Sequence, residues 1–258
     1  MKKILILSGL FIAIIYFAAC KGEEEVATPN ARITQILNQG EGLRFEWDPV
    51  DGADGYRVYV DGTQQYQGTN TYFEWTNPAK IIEIVAYAGD KESNPKSFNF
   101  TPVSRTGQEL WERSASGNSA YGWNSDGIGT SYSILDANNF SQFDFYLDDL
   151  TSGSTDPANI YPVSPNYNAF GNPFNNTETA FAVGTADIAP APGNYYTPTT
   201  QNPIVQGETY FLWIDHSANG WSDDDNFVKI TINSIGSDGR VTFDYWFQKY
   251  GGLRWLKP

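Results

Sequence analysis

The chain has 258 residues, a formal charge of −14, one cysteine and one histidine. The charge repels phosphate backbones and anionic headgroups and argues against nucleic acid as a partner. Without a cysteine beyond position 20 it can build neither a disulfide scaffold nor a thiolate metal site. Aromatics reach 16% while charged residues stop at 18%, against the usual value of about 25%. With 24 Gly and 14 Pro, this composition fits an all-β protein with many turns.

Met1-Lys2-Lys3 is a short basic start, Ile4 to Phe17 is nearly continuously apolar, and small Ala18-Ala19 precede Cys20. This order is that of a secretory signal, and the apolar run is shorter than the roughly 20 residues of a spanning helix. Phe17-Ala18-Ala19-Cys20 resembles the lipobox of bacterial lipoproteins, with Phe17 departing from the usual aliphatic residue. The resemblance implies that residues 1–19 are a signal peptide, that Cys20 is lipidated on sulfur, and that a membrane is a partner through that anchor. Loss of Lys2 and Lys3 with the signal would move the formal charge from −14 to −16. Lys21-Gly22-Glu23-Glu24-Glu25 resembles the acidic export signal of surface-exposed Bacteroidetes lipoproteins, or is simply a solvated tether over 20–30. It implies an outer-membrane protein facing the cell exterior.

Residues 31–103 read as strands. Leu43, Phe45 and Trp47 alternate with Arg44 and Glu46, the period of a half-buried strand. Tyr56, Val58 and Val60 alternate next and end at Asp61-Gly62, a hairpin signal. Ile81 to Tyr87 is apolar on both faces apart from Glu83. Leu43-x-Phe45-x-Trp47-x-Pro49, Gly55-Tyr56-Arg57-Val58-Tyr59 and Ile84-x-Ala86-Tyr87 resemble a fibronectin type III domain, with Lys80 standing at that family's corner tyrosine. The resemblance implies a β-sandwich with Trp47 between the sheets, used as a spacer or interaction module.

Residues 104–258 form a second unit. Glu109 to Arg113 reads equally as a short helix or an edge strand. Phe143, Phe145 and Leu147 alternate with Gln142, Asp144 and Tyr146, and Tyr210 to Ile214 is apolar throughout. Val228, Ile230 and Ile232 lead through Gly236-Ser237-Asp238-Gly239 to Val241, Phe243, Tyr245 and Phe247, a hairpin. The expected fold class is therefore all-β: a fibronectin type III-like β-sandwich followed by a larger antiparallel sandwich or jelly-roll-like domain. Asp144-Phe145-Tyr146, Ser164-Pro165, Thr179-Ala180-Phe181 and Phe227-Val228-Lys229-Ile230 loosely resemble the HmuY-like group of Bacteroidetes surface lipoproteins. Haem binding in that group takes two axial histidines, and His216 is the only one here, so haem is not expected.

Three sets of residues are candidates for chemistry or binding. Asp223, Asp224 and Asp225, near Asp215, offer oxygens that calcium prefers; their spacing is not that of an EF-hand, and a solvated acidic hairpin tip fits them as well. Trp246 and Tyr146 should point away from the core side of their strands, Asp144 lies beside Tyr146, Trp221 sits in the acidic loop, and Tyr250 and Trp255 lie near the C-terminus. Such aromatics stack on sugar rings or anchor a protein partner; alternatively, the long loop 152–203 covers the sheet and buries them. Catalysis is poorly supported. A serine triad would need His216, Gly-x-Ser-x-Gly is absent, and Glu109, Glu112, Glu178 and Glu208 make no Glu-x-Asp-x-x-Glu pattern. The expectation is a non-catalytic surface protein with a glycan or protein ligand and no cofactor beyond calcium. An adhesive module or a divergent glycosidase is the alternative.

Overall fold

The computed structural model describes residues 25–151, 153–169, 171–193 and 196–258. Cys20 and the signal segment lie outside these residues. Among the described residues no helix is long and apolar enough to cross a membrane. The fold is all-β, with four antiparallel sheets forming two sandwiches.

The first sandwich contains β1 (Arg32–Leu37), β2 (Gly42–Glu46), β3 (Gly55–Val60), β4 (Thr63–Gly68), β5 (Tyr72–Trp75), β6 (Ile81–Ala88), β7 (Lys91–Glu92) and β8 (Lys96–Asn99). One sheet has the order β1-β2-β5; the other runs β4-β3-β6, with β7 and β8 both pairing β6. Leu43 and Phe45 from one sheet meet Tyr56, Val58, Ile82 and Ile84 from the other, all buried. Trp47 joins them, its ring 5.3 Å from that of Tyr56. The hairpin between β3 and β4 turns at Asp61 (φ 48°) and Gly62 (φ 77°), two left-handed residues as a two-residue turn requires.

The second sandwich contains β9 (Val103–Trp111), β10 (Ala120–Trp123), β11 (Gly129–Tyr132), β12 (Phe145–Asp148), β13 (Tyr161–Val163), β14 (Glu178–Val183), β15 (Thr209–Asp215), β16 (Asn226–Ile235) and β17 (Arg240–Phe247). A four-stranded sheet, β11-β10-β12-β13, packs on a five-stranded one, β14-β15-β16-β17-β9. Glu109 and its neighbours are thus in an edge strand rather than a helix, because β9 pairs with β17 along its length. The shared core holds Tyr121, Phe145 and Leu147 from the smaller sheet and Leu212, Ile230, Phe243 and Tyr245 from the larger. A 3₁₀ turn at Ala137–Gln142, capped by Asp136, interrupts the alternation expected before β12. Phe143 consequently packs with Tyr146 on the far side of the smaller sheet, not with Phe145.

The C-terminal tail departs from the expected division of the chain. Trp255 and Leu253 are fully buried in the core of the first sandwich, and Trp255 meets Phe100 edge-on with centroids 5.3 Å apart. Its Nε1 donates to Glu41 O at 2.7 Å, Arg254 N donates to Gly40 O at 3.0 Å, and Ala189 N donates to Arg254 O at 2.9 Å. The tail therefore lies between the two sandwiches, and Trp255 is not an exposed aromatic. A large, fully buried aromatic contributes about 3–5 kcal/mol against truncation to Ala. Trp255→Ala should lower the free energy of unfolding by that amount in urea titrations; a change below about 0.5 kcal/mol would show that the tail merely rests on the surface.

Candidate functional site

The predicted ligand residues do not form one face. Tyr146 lies on the outer side of the smaller sheet, as its alternation with Phe145 requires, but it is 0% exposed. Phe174 packs edge-on against it at 5.2 Å, and its hydroxyl donates to Tyr167 O at 2.9 Å. The loop carrying Tyr167 and Phe174 has closed over that face, since strand alternation sets the side a residue faces but not what covers it. Asp144 is buried as well. Its Oδ2 accepts from Trp123 N at 2.8 Å, and its Oδ1 lies 3.8 Å from Nδ1 of His216, the exposed turn residue.

Trp246 and Trp221 belong to the opposite side of the molecule. Trp246 is half-buried on the outer face of the five-stranded sheet, and Lys229 Nζ sits 5.4 Å from its ring centroid. That buried ammonium occupies one ring face, and burial lowers its pKa against the attraction of Asp187. Trp221 is half-buried against Phe211, Phe227, Tyr196 and Leu256, and its Nε1 donates to Gly252 O at 3.4 Å. Tyr196 of the long loop covers Trp213 with centroids 5.8 Å apart, so this part of the sheet is packed rather than displayed.

At Asp223, Asp224 and Asp225, weighed for calcium or a solvated acidic tip, the side chains do not converge. Asp225 turns inward, accepting from Trp213 Nε1 at 2.7 Å and from Ser222 N and Oγ at 3.0 Å each. Asp223 and Asp224 face solvent. Asp215 is also inward, its oxygens held by Ser217 and by Gly220 N. Consecutive side chains diverge, and these carboxylates serve as turn acceptors. Among the described residues, the acids whose oxygens do converge are Glu112, Asp148 and Asp149.

A cleft of about 480 Å³ opens beside β14, the edge strand of the five-stranded sheet, within the size range of small-ligand sites. Phe181 and Tyr210, both buried in the core, are among its lining residues, and Thr200, Gln201, Asn202 and Glu208 supply hydroxyl, amide and carboxylate groups. Glu208 accepts from the Tyr210 hydroxyl, which itself accepts from Val205 N at 3.0 Å. Val183 and Val205, 60% and 53% exposed, flank the opening. The wall is built by a loop that bridges the sheets, with Thr197 pairing Phe181 and Thr199 pairing Val163. Periodicity could not reveal Thr200, Gln201 and Asn202, which stand in an irregular segment between prolines. The one legible sign was a polar loop next to a strand edge.

Neither a family model nor a curated protein matches this chain.

Asp144 gives the region a pH dependence. Burial pushes its pKa from 3.8 up to about 6, opposed by the Trp123 amide and by His216. Between those values the folded protein keeps a proton that the unfolded chain has released, so stability falls as pH rises through the window. Two pH units correspond to up to about 3 kcal/mol. Asp144→Asn keeps an acceptor for Trp123 N without the buried charge. It should therefore be more stable than the parent at pH 7 and equal to it near pH 4 in thermal melts. A difference that does not vary with pH would refute this account.

Proposed function

We propose that this chain is a lipid-anchored, non-catalytic binding protein of the cell exterior, and that its second sandwich takes a neutral glycan in the cleft beside β14. The observation that carries this reading is the cleft's chemistry: uncharged hydroxyl and amide groups of Thr197, Thr200, Gln201 and Asn202 beside apolar Val183, Pro203 and Val205. Sugars present apolar C–H faces and neutral hydroxyls, and both find partners there. Glu208 is the one carboxylate among the lining residues, whereas glycoside hydrolysis uses a pair; this supports binding over turnover. The exposed valines at the opening favour a second reading, in which the cleft accepts a protein segment.

The first sandwich acts as a fibronectin type III-like spacer that holds the cleft away from the membrane. The position of Trp47 between its two sheets supports that role. The anchor itself is read from Phe17-Ala18-Ala19-Cys20, and each methylene of an attached acyl chain would add about 0.8 kcal/mol of membrane affinity.

A glycan array probed with the purified chain tests the ligand, and calorimetry on any sugar that binds tests the place. The combined change Gln201→Ala and Asn202→Ala removes two amide partners worth about 1 kcal/mol each, so affinity should fall about 30-fold. Trp246→Ala should leave it unchanged. Undiminished binding in the double variant would move the site elsewhere, and capture of peptides but no sugars would favour the second reading. Separately, Cys20→Ser should abolish incorporation of a labelled fatty acid and release the protein from membranes; a labelled Cys20→Ser protein would sink the anchor.

A further inference from the structure

The ends of β9 and β12 lie side by side, with Arg113 N donating to Leu147 O at 3.0 Å. This pairing gathers three carboxylates from the two sheets, Glu112, Asp148 and Asp149, with one oxygen of each within 4.8 Å of the others. They are 0%, 1% and 3% exposed. Arg113 Nη1 lies 3.1 Å from Asp148 Oδ2 and offsets one of the three charges. Like charges at this separation, away from water, cannot all persist unpaired.

The hydrogen bonds around the cluster leave one oxygen over. Asp148 Oδ1 accepts from Leu150 N at 2.9 Å. Asp149 accepts from the Thr151 amide and hydroxyl and from Asp156 N. Glu112 Oε2 accepts from Ser114 N at 2.7 Å and Thr155 Oγ1 at 3.1 Å. Glu112 Oε1 is buried and makes no well-aligned hydrogen bond. A buried carboxylate oxygen in that state is costly, and native structures rarely keep one without a water, a proton or an ion. Burial raises the pKa of Glu112, opposed by the hydrogen bonds from Ser114 and Thr155, while Asp149 acts both ways through its charge and its amide.

We propose that Glu112, Asp148 and Asp149 bind a calcium ion that ties the two sheets of the second sandwich together. The donors are all hard oxygens, with no imidazole or thiolate among them. After Arg113 is counted, their residual charge matches a divalent cation. Calcium accepts irregular sets of six to eight oxygens, while magnesium demands a near-octahedral shell and keeps its waters. A buried site assembled from two strand ends and a loop suits the larger ion. The ion would fasten β9 to β12 and hold the loop from Asp149 to Asp156, in a place apart from the cleft and from Asp223–Asp225.

The test uses the full chain stripped with EGTA and titrated with calcium chloride, followed by calorimetry and thermal unfolding. One equivalent should bind, the melting temperature should rise by about 5 °C at saturation, and magnesium should give a smaller shift. Glu112→Gln and, separately, Asp149→Asn should each weaken calcium binding about tenfold or more. The combined change Asp223→Asn and Asp224→Asn should leave it intact. Should Glu112→Gln fail to fold, Asp149→Asn and displacement of terbium by calcium from the unsubstituted chain still decide the matter. No calcium-dependent shift up to about 10 mM, beyond the range of weak extracellular sites, would overturn the proposal and leave a shared proton as the neutralising partner. Binding undiminished in both single variants would overturn it equally.

Discussion

Gln248, at the end of β17, donates through its side-chain amide to Phe100 O at 3.1 Å and to Trp255 O at 2.7 Å. Its Oε1 accepts from Tyr250 N at 3.1 Å. One buried amide thus joins Phe100 of the first core, the end of the last strand of the second sandwich and the returning tail. Arg254 extends the junction, donating from Nε to Gln39 O at 2.8 Å and from Nη1 to Ala189 O at 2.5 Å. Desolvation lowers its pKa, yet its partners are carbonyls rather than an acid. The tail fits because Gly40 and Gly252 approach so closely that a Cβ on Gly40 would lie 2.0 Å from Gly252 O. Hydrogen bonds of this kind are each worth about 1 kcal/mol, but a donor left buried without its partner costs more. The relation between the sandwiches therefore depends on the tail being in place.

The abundance of aromatics has a packing explanation. Sheets in a sandwich need only one apolar face, and this chain puts rings on both. Irregular segments then cover the outer faces: the 3₁₀ turn and the loop to Phe174 on the smaller sheet, and the loop carrying Ala189 and Tyr196 on the larger. The proline-rich stretch is thus structural cladding over much of its length. What remains open is the edge of β14, where the cladding crosses between sheets instead of lying on one.

Acidic residues divide in the same way. Asp225, Asp215 and Asp149 point inward and satisfy turn amides, which converts negative charge into local loop rigidity. Asp223 and Asp224 stay in solvent and contribute to the net charge. Among the described residues, carboxylates converge where two strand ends meet, and there Glu112 Oε1 makes no well-aligned hydrogen bond.

Much of the fold was legible from two-residue alternation. Tyr56, Val58 and Val60, Val228, Ile230 and Ile232, and Val241 to Phe247 all face the cores their spacing implied. The Asp61-Gly62 turn followed from the left-handed conformations it requires. Alternation is a local property of the backbone, so sequence alone determines it. Exposure is not local. Tyr146 and Trp255 are buried by segments 28 and 155 residues away, and Asp223–Asp225 diverge because adjacent side chains cannot point alike. The cleft and the Glu112 cluster likewise exist only once distant strand edges and ends are brought together. Composition and periodicity determined an acidic all-β chain. Which groups meet, and which remain free to meet a ligand, was decided by long-range packing that no short window contains.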